Sequence, residues 1–133
     1  MIVEERSLWV DSAGPGLQRG GFGQKYVLRM LDGDLGPVGE VLASFRGGRF
    51  IHPPPGILGG GAAPNGFLSI RGNSEDAGRQ VIVRAGDRIV SHIPGGGGYG
   101  DPKQRDPALV EADLRNGLIT PEHAREHYGY PAA

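Results

Sequence analysis

Glycine is the residue that most limits what this chain can fold into. It takes 25 of 133 positions, against a usual share of about 7%, and much of it is gathered into three runs: Gly14 to Gly23, Gly56 to Gly61 and Gly95 to Gly100. Ordered glycine costs backbone entropy and contributes no side chain to a core. Hydrophobic residues make up only 38%, below the roughly 45–50% of soluble domains, so the core is lean. With no cysteine there is no disulfide and no thiolate zinc site to compensate. Stability is expected to come from close packing or from a partner, and a partner is the preferred reading.

The formal net charge is −1 and the pI about 6.4. Nucleic-acid binding needs a clustered excess of Lys and Arg to displace counterions, so that class is excluded. No stretch approaches the roughly 18–20 apolar residues that span a bilayer. Met1 to Arg6 carries two glutamates rather than an apolar run, and the chain reads as cytosolic.

Short apolar runs bounded by turn formers predict strands. Leu8-Trp9-Val10 leads into the turn-forming Asp11-Ser12-Ala13-Gly14-Pro15-Gly16, and Lys25 to Leu31 is followed by Asp32-Gly33-Asp34. The stretch from Val38 to Phe50, broken at Gly47-Gly48, suggests a hairpin. His52-Pro53-Pro54-Pro55-Gly56 lacks amide donors and must be a connector or an edge. Phe67 to Ile70 is another short strand. The clearest hairpin is Gln80–Arg84 with Arg88–Ile93, joined through Ala85-Gly86-Asp87.

At the C-terminal end, Asp106-Pro107 and Thr120-Pro121 are each an N-cap followed by a proline suited to the first helical position. Asn116-Gly117 and Gly129 supply the stops. The fold class is therefore α+β, in one domain over 1–133. A β-rich part over 1–104, with short antiparallel strands and long glycine-rich loops, precedes a two-helix tail over 105–133.

Several motifs invite chemistry. Gly95 to Gly100 satisfies G-x-G-x-x-G, but Asp101-Pro102 intervenes before any helix and no βαβ unit can be drawn, so a dinucleotide loop is rejected. Gly95, Gly96, Gly97 and Gly98 form either an anion-holding nest of amides or a tight buried turn. His123-Ala124-Arg125-Glu126-His127 spells the inverted zincin pattern H-x-x-E-H. It has no downstream third ligand, so two histidines on a solvated helix face are expected and no metal is assigned. Asp11, Ser12 and His92 are the residue types of a catalytic triad, although sequence cannot show that they meet. Arg19 either pairs with a carboxylate or clamps an anionic oxygen.

Asp11-Ser12-Ala13-Gly14-Pro15-Gly16-Leu17-Gln18-Arg19-Gly20-Gly21-Phe22-Gly23 resembles the D-S-[GA]-G-P-G-x-x-R-G-G-x-G block of the hydantoinase B/oxoprolinase family. Pro53 to Gly60 is similar to that family's proline-rich P-x-G-x-x-G-G turn. Pro94 to Pro102, with Arg105-Asp106-Pro107, Gly117-Leu118-Ile119, Pro121-Glu122 and Tyr128-Gly129, resembles its closing segment. The resemblance implies the C-terminal part of a longer subunit that works in an ATP-dependent amidohydrolase opening cyclic amides of the hydantoin or 5-oxoproline type. The expected partners are a hydantoinase A-type ATP-using subunit, a longer B-type chain, or both, with a small cyclic amide as substrate. ATP and a divalent metal are expected there, not in this chain. Asp11, Ser12, Arg19 and Gly95 to Gly98 become candidate walls of a substrate site, with the catalytic residues unassigned. The alternatives are part of an acetone- or acetophenone-type carboxylase, and a non-catalytic interaction or remnant module.

Overall fold

The computed structural model describes residues 1–34, 39–74 and 78–131. Among these residues, seven strands form two antiparallel sheets. Strands β1 (Ile2–Leu8), β2 (Gln24–Arg29), β4 (Phe67–Ile70), β5 (Asn73–Ser74) and β7 (Arg88–Ile93) make a five-stranded sheet in the order β1-β2-β7-β4-β5. Strands β3 (Glu40–Ser44) and β6 (Gln80–Arg84) make a two-stranded sheet. Side chains from both sheets meet in one cluster: Leu28, Leu68, Ile70 and Ile89 from the larger, Ala43, Val81 and Val83 from the smaller, closed by Met30, Phe45 and Phe50. Alternation puts Leu28, Ile89 and Ile70 side by side on the inner face, because they are direct cross-strand partners.

Strands form within the expected segments at Lys25 to Leu31, Phe67 to Ile70, Gln80 to Arg84 and Arg88 to Ile93, but their partners differ. Strands β6 and β7 have the expected bounds and yet do not pair with each other: β6 pairs with β3, while β7 lies between β2 and β4. The link between them is a corner. Gly86, at φ +83, donates its amide to Met30 O at 2.9 Å, and Met30 N reaches Asp87 O at 3.0 Å. The buried Asp87 carboxylate accepts from Arg84 N at 2.7 Å and from Arg71. These bonds consume the turn's polar groups sideways, so the chain passes from one sheet to the other.

No local hairpin forms around Gly47-Gly48 either. A 3₁₀ turn occupies Gly48–Phe50, and β3 finds its partner about 40 residues away, with Arg84 and Glu40 joined at 2.7 Å. Val38, where that expectation began, lies outside the described residues.

The first strand also lies earlier than Leu8-Trp9-Val10. It is the charged segment Ile2–Leu8, whose charges are met across the sheet: Glu5 by Lys25 at 2.9 Å, and Glu4 by Arg29 at 2.7 Å and Arg88 at 2.9 Å. Opposite charges on facing strands supply cross-strand pairing where apolar alternation is missing.

The tail folds as its caps require. Helix α1 (Pro107–Arg115) is capped by Asp106, which accepts from Ala108 N, and ends before Gly117 at φ +66. Helix α2 begins at Pro121, capped by Thr120, which accepts from His123 N. It widens into a π-turn over Ala124–Tyr128 and stops at Gly129, φ +67. A second cluster of Val110, Ile119, Ala124 and Tyr128, with Phe22, Leu114 and Tyr130 against it, attaches the tail to the first glycine loop.

The three glycine runs interlock backbone to backbone. Gly14 N donates to Gly96 O at 2.8 Å, Gly95 N to Ser12 O at 3.0 Å, Gly96 N to Gly21 O at 2.9 Å, Gly98 N to Gly61 O at 2.9 Å and Gly61 N to Pro15 O at 2.7 Å. A Cβ on Gly20 would stand 1.9 Å from Gly96 O, and one on Gly98 would stand 1.9 Å from Pro15 O. Backbone obstructs in each case, so no side chain can swing aside. Gly98→Ala is therefore expected to lower stability by more than ~3 kcal/mol in urea unfolding, within the range of severe overpacking. Gly21→Ala, where a Cβ meets nothing within 4 Å, is expected to stay within about 0.5 kcal/mol of the parent.

Candidate functional site

Loop 11–23 follows β1 and is held by Ser12. Its side chain is wholly buried, donates to Trp9 O and accepts from Gly23 N at 2.7 Å. Both capacities of the hydroxyl are thus engaged by backbone. His92, on β7, is in ring contact with Trp9 and Phe67, and the Asp11 carboxylate points elsewhere, to the tail. The three triad residue types are not assembled.

Arg19 makes a two-pronged ion pair with Asp113 on α1, Nε to Oδ2 at 2.8 Å and Nη2 to Oδ1 at 3.1 Å, and its guanidinium lies 4.2 Å over the Phe22 ring. Arg105 reaches the same Asp113 Oδ2 at 3.1 Å and Leu17 O at 3.3 Å. Of the two readings of Arg19, pairing with a carboxylate is the one that the geometry realises. The amides of Gly95, Gly96 and Gly98 go to the carbonyls of Ser12, Gly21 and Gly61. That arrangement favours a tight turn at Gly95 to Gly98 over an anion nest.

Asp11 is the candidate that faces open space. It sits at φ +59, a left-handed conformation that non-glycine residues seldom adopt. Its carboxylate accepts from Thr120 N at 2.8 Å and Thr120 Oγ1 at 2.9 Å, and stands 3.7 Å from His123 Nδ1. These bonds pin the first turn of α2 against loop 11–15. Between the two lies a pocket of about 300 Å³ lined by Asp11, Ala13, Pro15, residues 61–64, His123 and His127.

The two histidines are not on a solvated face. The His123 side chain is only 11% exposed, and its ring centroid is 4.4 Å from that of His127. The i, i+4 spacing was the available signal; what the sequence could not show is that Asp11, over a hundred residues away, closes over that face. Among the described residues, no group of three or more His, Asp or Glu is placed to hold a metal ion.

Burial pushes the His123 imidazole below its ordinary 6.5; Asp11 and Glu126 oppose the shift and His127 adds to it. The His92 imidazole is lowered too, by burial first and then by Lys25, with Glu5 opposing. Because the folded pKa lies below the unfolded one, the unfolded chain takes up protons first on acidification. Stability is full above about pH 6.5 and falls as the pH drops below it. The melting temperature is expected to fall from about pH 7.5 to 5.5, and His123→Gln should shrink that fall while His92 retains the rest. In Asp113→Ala the buried Arg105 and half-buried Arg19 lose their counter-charge, and a loss of about 3 kcal/mol is expected in urea unfolding. Glu122→Gln, which removes a surface pair with Arg125 at 2.9 Å, should cost less than about 0.5 kcal/mol.

This arrangement has known relatives. The hydantoinase B/oxoprolinase family profile matches residues 1–102. The chain is 35% identical over 141 residues to the caprolactamase beta chain of Pseudomonas jessenii, an alignment covering 97% of this chain and 23% of that one. The crystal structure of the ATP-dependent caprolactamase from the same organism superposes with a TM-score of 0.74 at 28% identity, over 96% of this chain and 23% of that one. The acetophenone carboxylase delta subunit of Aromatoleum aromaticum is 41% identical over 56 residues, 41% of this chain and 8% of that one. The chain thus spans less than a quarter of the length of these relatives. With the matched profile running from the first strand through the third glycine run, the chain belongs to the hydantoinase B/oxoprolinase family.

Proposed function

We propose that this chain is a component of an ATP-dependent amidohydrolase that opens small cyclic amides of the lactam, hydantoin or 5-oxoproline type. It acts in the cytosol with an A-type ATP-using subunit and with the portion of a B-type chain that its relatives carry in addition. The observation that carries this reading is the likeness to the ATP-dependent caprolactamase across 96% of the chain.

The chemistry explains the need for ATP. A lactam carbonyl is a poor electrophile because amide resonance stabilises it, and its oxygen is a poor leaving group. Phosphorylation of that oxygen makes the ring carbon open to attack. ATP and a divalent ion are assigned elsewhere because three of the four amides in the Gly95 to Gly98 loop, the phosphate cradle weighed from the sequence, are engaged by carbonyls. In this proposal both belong to the other components, and this chain supplies a rigid glycine-built wall. Asp11 faces the pocket, while Ser12, Arg19 and Gly95 to Gly98 hold the wall in place.

A mixture of this chain, an A-type subunit and the complementary B-type portion is expected to open a lactam or hydantoin ring with stoichiometric release of ADP, and omission of any one component should abolish turnover. Unchanged turnover without this chain would favour the non-catalytic module instead. Bicarbonate-dependent carboxylation of a ketone, with no ring opening, would favour the carboxylase reading, to which the match with the acetophenone carboxylase delta subunit lends its weight.

A further inference from the structure

The pocket between loop 11–15, residues 61–64 and helix α2 has a definite chemical character. Its walls are small and apolar: Ala13, Pro15, Ala62, Ala63 and Pro64. Its titratable side chains are the Asp11 carboxylate, 3.7 Å from His123 Nδ1, and the imidazoles of His123 and His127, whose ring centroids are 4.4 Å apart. Thr120 donates one bond to each Asp11 oxygen, and a carboxylate oxygen has two lone pairs, so Asp11 retains acceptor capacity. Among the described residues, Nε2 of His123 is buried with no hydrogen-bond partner, a state that native structures rarely leave unexplained. Asp11 also holds its left-handed backbone conformation without being glycine, and strain of that kind gathers at ligand sites.

A ligand that suits this lining is small, apolar around most of its perimeter, and carries an N–H donor at one edge. A volume of about 300 Å³ is at the small end of ligand pockets. The proline and alanine surfaces match the methylene edge of a saturated ring. An N–H presented to Asp11 is rewarded, whereas an N-alkylated ring leaves the carboxylate facing carbon, which removes a charge-assisted bond and adds a desolvation cost.

We propose that this pocket receives the ring of a small cyclic amide, with Asp11 accepting the ring N–H and the residues 61–64 wall covering the methylenes. The proposal rests on the ring-opening reading above and locates, within this chain, where the ring is held.

The test uses the whole 133-residue chain without ATP or partner. Histidine ring and Asp11 backbone-amide NMR signals are followed during titration with 2-pyrrolidinone, with N-methyl-2-pyrrolidinone and with pyrrolidine, which is a cation at neutral pH. Saturable shifts at His123, His127 and Asp11 are expected with 2-pyrrolidinone, with the N-methyl compound weaker by about tenfold. Ala62→Phe, which fills the pocket from its exposed rim and leaves every polar group in place, should abolish them. Asp11→Asn should weaken 2-pyrrolidinone more than the N-methyl compound.

Equal binding of the two lactams, tighter binding of pyrrolidine, absent shifts in the folded chain, or shifts that persist in Ala62→Phe would each overturn the proposal. Its failure is separable from failure of the enzymatic reading. A reconstituted enzyme that opens lactams while this pocket ignores them removes only the pocket; a pocket that selects the N–H lactam in a mixture with no ATP-coupled turnover removes only the reading.

Discussion

The interlock of three glycine runs is the constraint on which the rest of the molecule depends. Loops 11–23, 55–61 and 94–101 approach so closely that Cβ atoms at several positions would coincide with carbonyl oxygens. Hydrogen bonds between these backbones do the work that a strand ladder does elsewhere, without the regular geometry of a sheet. This explains how a chain with few hydrophobic residues holds long irregular segments: the loops satisfy one another's polar groups, and glycine permits the approach. Each ordered glycine costs conformational entropy, which many mutual bonds and two small apolar clusters together offset.

The helical tail is fastened onto this layer by two carboxylates that play different parts. Asp113 gathers Arg19 from the first glycine loop and Arg105 from the approach to α1, so its charge is matched on the protein interior. Asp11 works in the reverse direction, extending from the loop to cap Thr120 on the tail. The first linkage is sealed, and the second borders open space. The pocket forms where the tail docks, which is why its lining comes from three segments far apart in sequence.

Local signals in the sequence were dependable and long-range ones were not. The helix caps at Asp106 and Thr120 and the stops at Gly117 and Gly129 depend on neighbouring residues, and they are found where the residue types place them. The strands at Phe67–Ile70 and Arg88–Ile93 follow from short apolar runs in the same way. Strand pairing depends on contacts that no short window contains. Adjacency made Gln80–Arg84 and Arg88–Ile93 read as a hairpin, but the bonds of Gly86 and Asp87 to Met30, Arg71 and Arg84 turn the chain to another layer. Charge hid the first strand, because its pairing rests on Glu4 and Glu5 meeting basic residues of β2 and β7. At the site, Asp11 was legible within a recognisable block, whereas the half-buried environment of His123 and His127 was not. A helix face can be called solvated only when nothing distant covers it.

The left-handed backbone at Asp11 has a consequence of its own. Elsewhere in loop 11–23 the chain relieves crowding by omitting the side chain, yet here it keeps one in a torsional region that costs a residue with a Cβ about 1–2 kcal/mol. Glycine would ease the torsion and sever the link to the tail; alanine would keep the torsion and lose the link. Asparagine alone among the remaining residues tolerates the conformation while offering an oxygen to Thr120. The position is therefore tuned by two competing demands, and only a short side chain ending in an oxygen meets both.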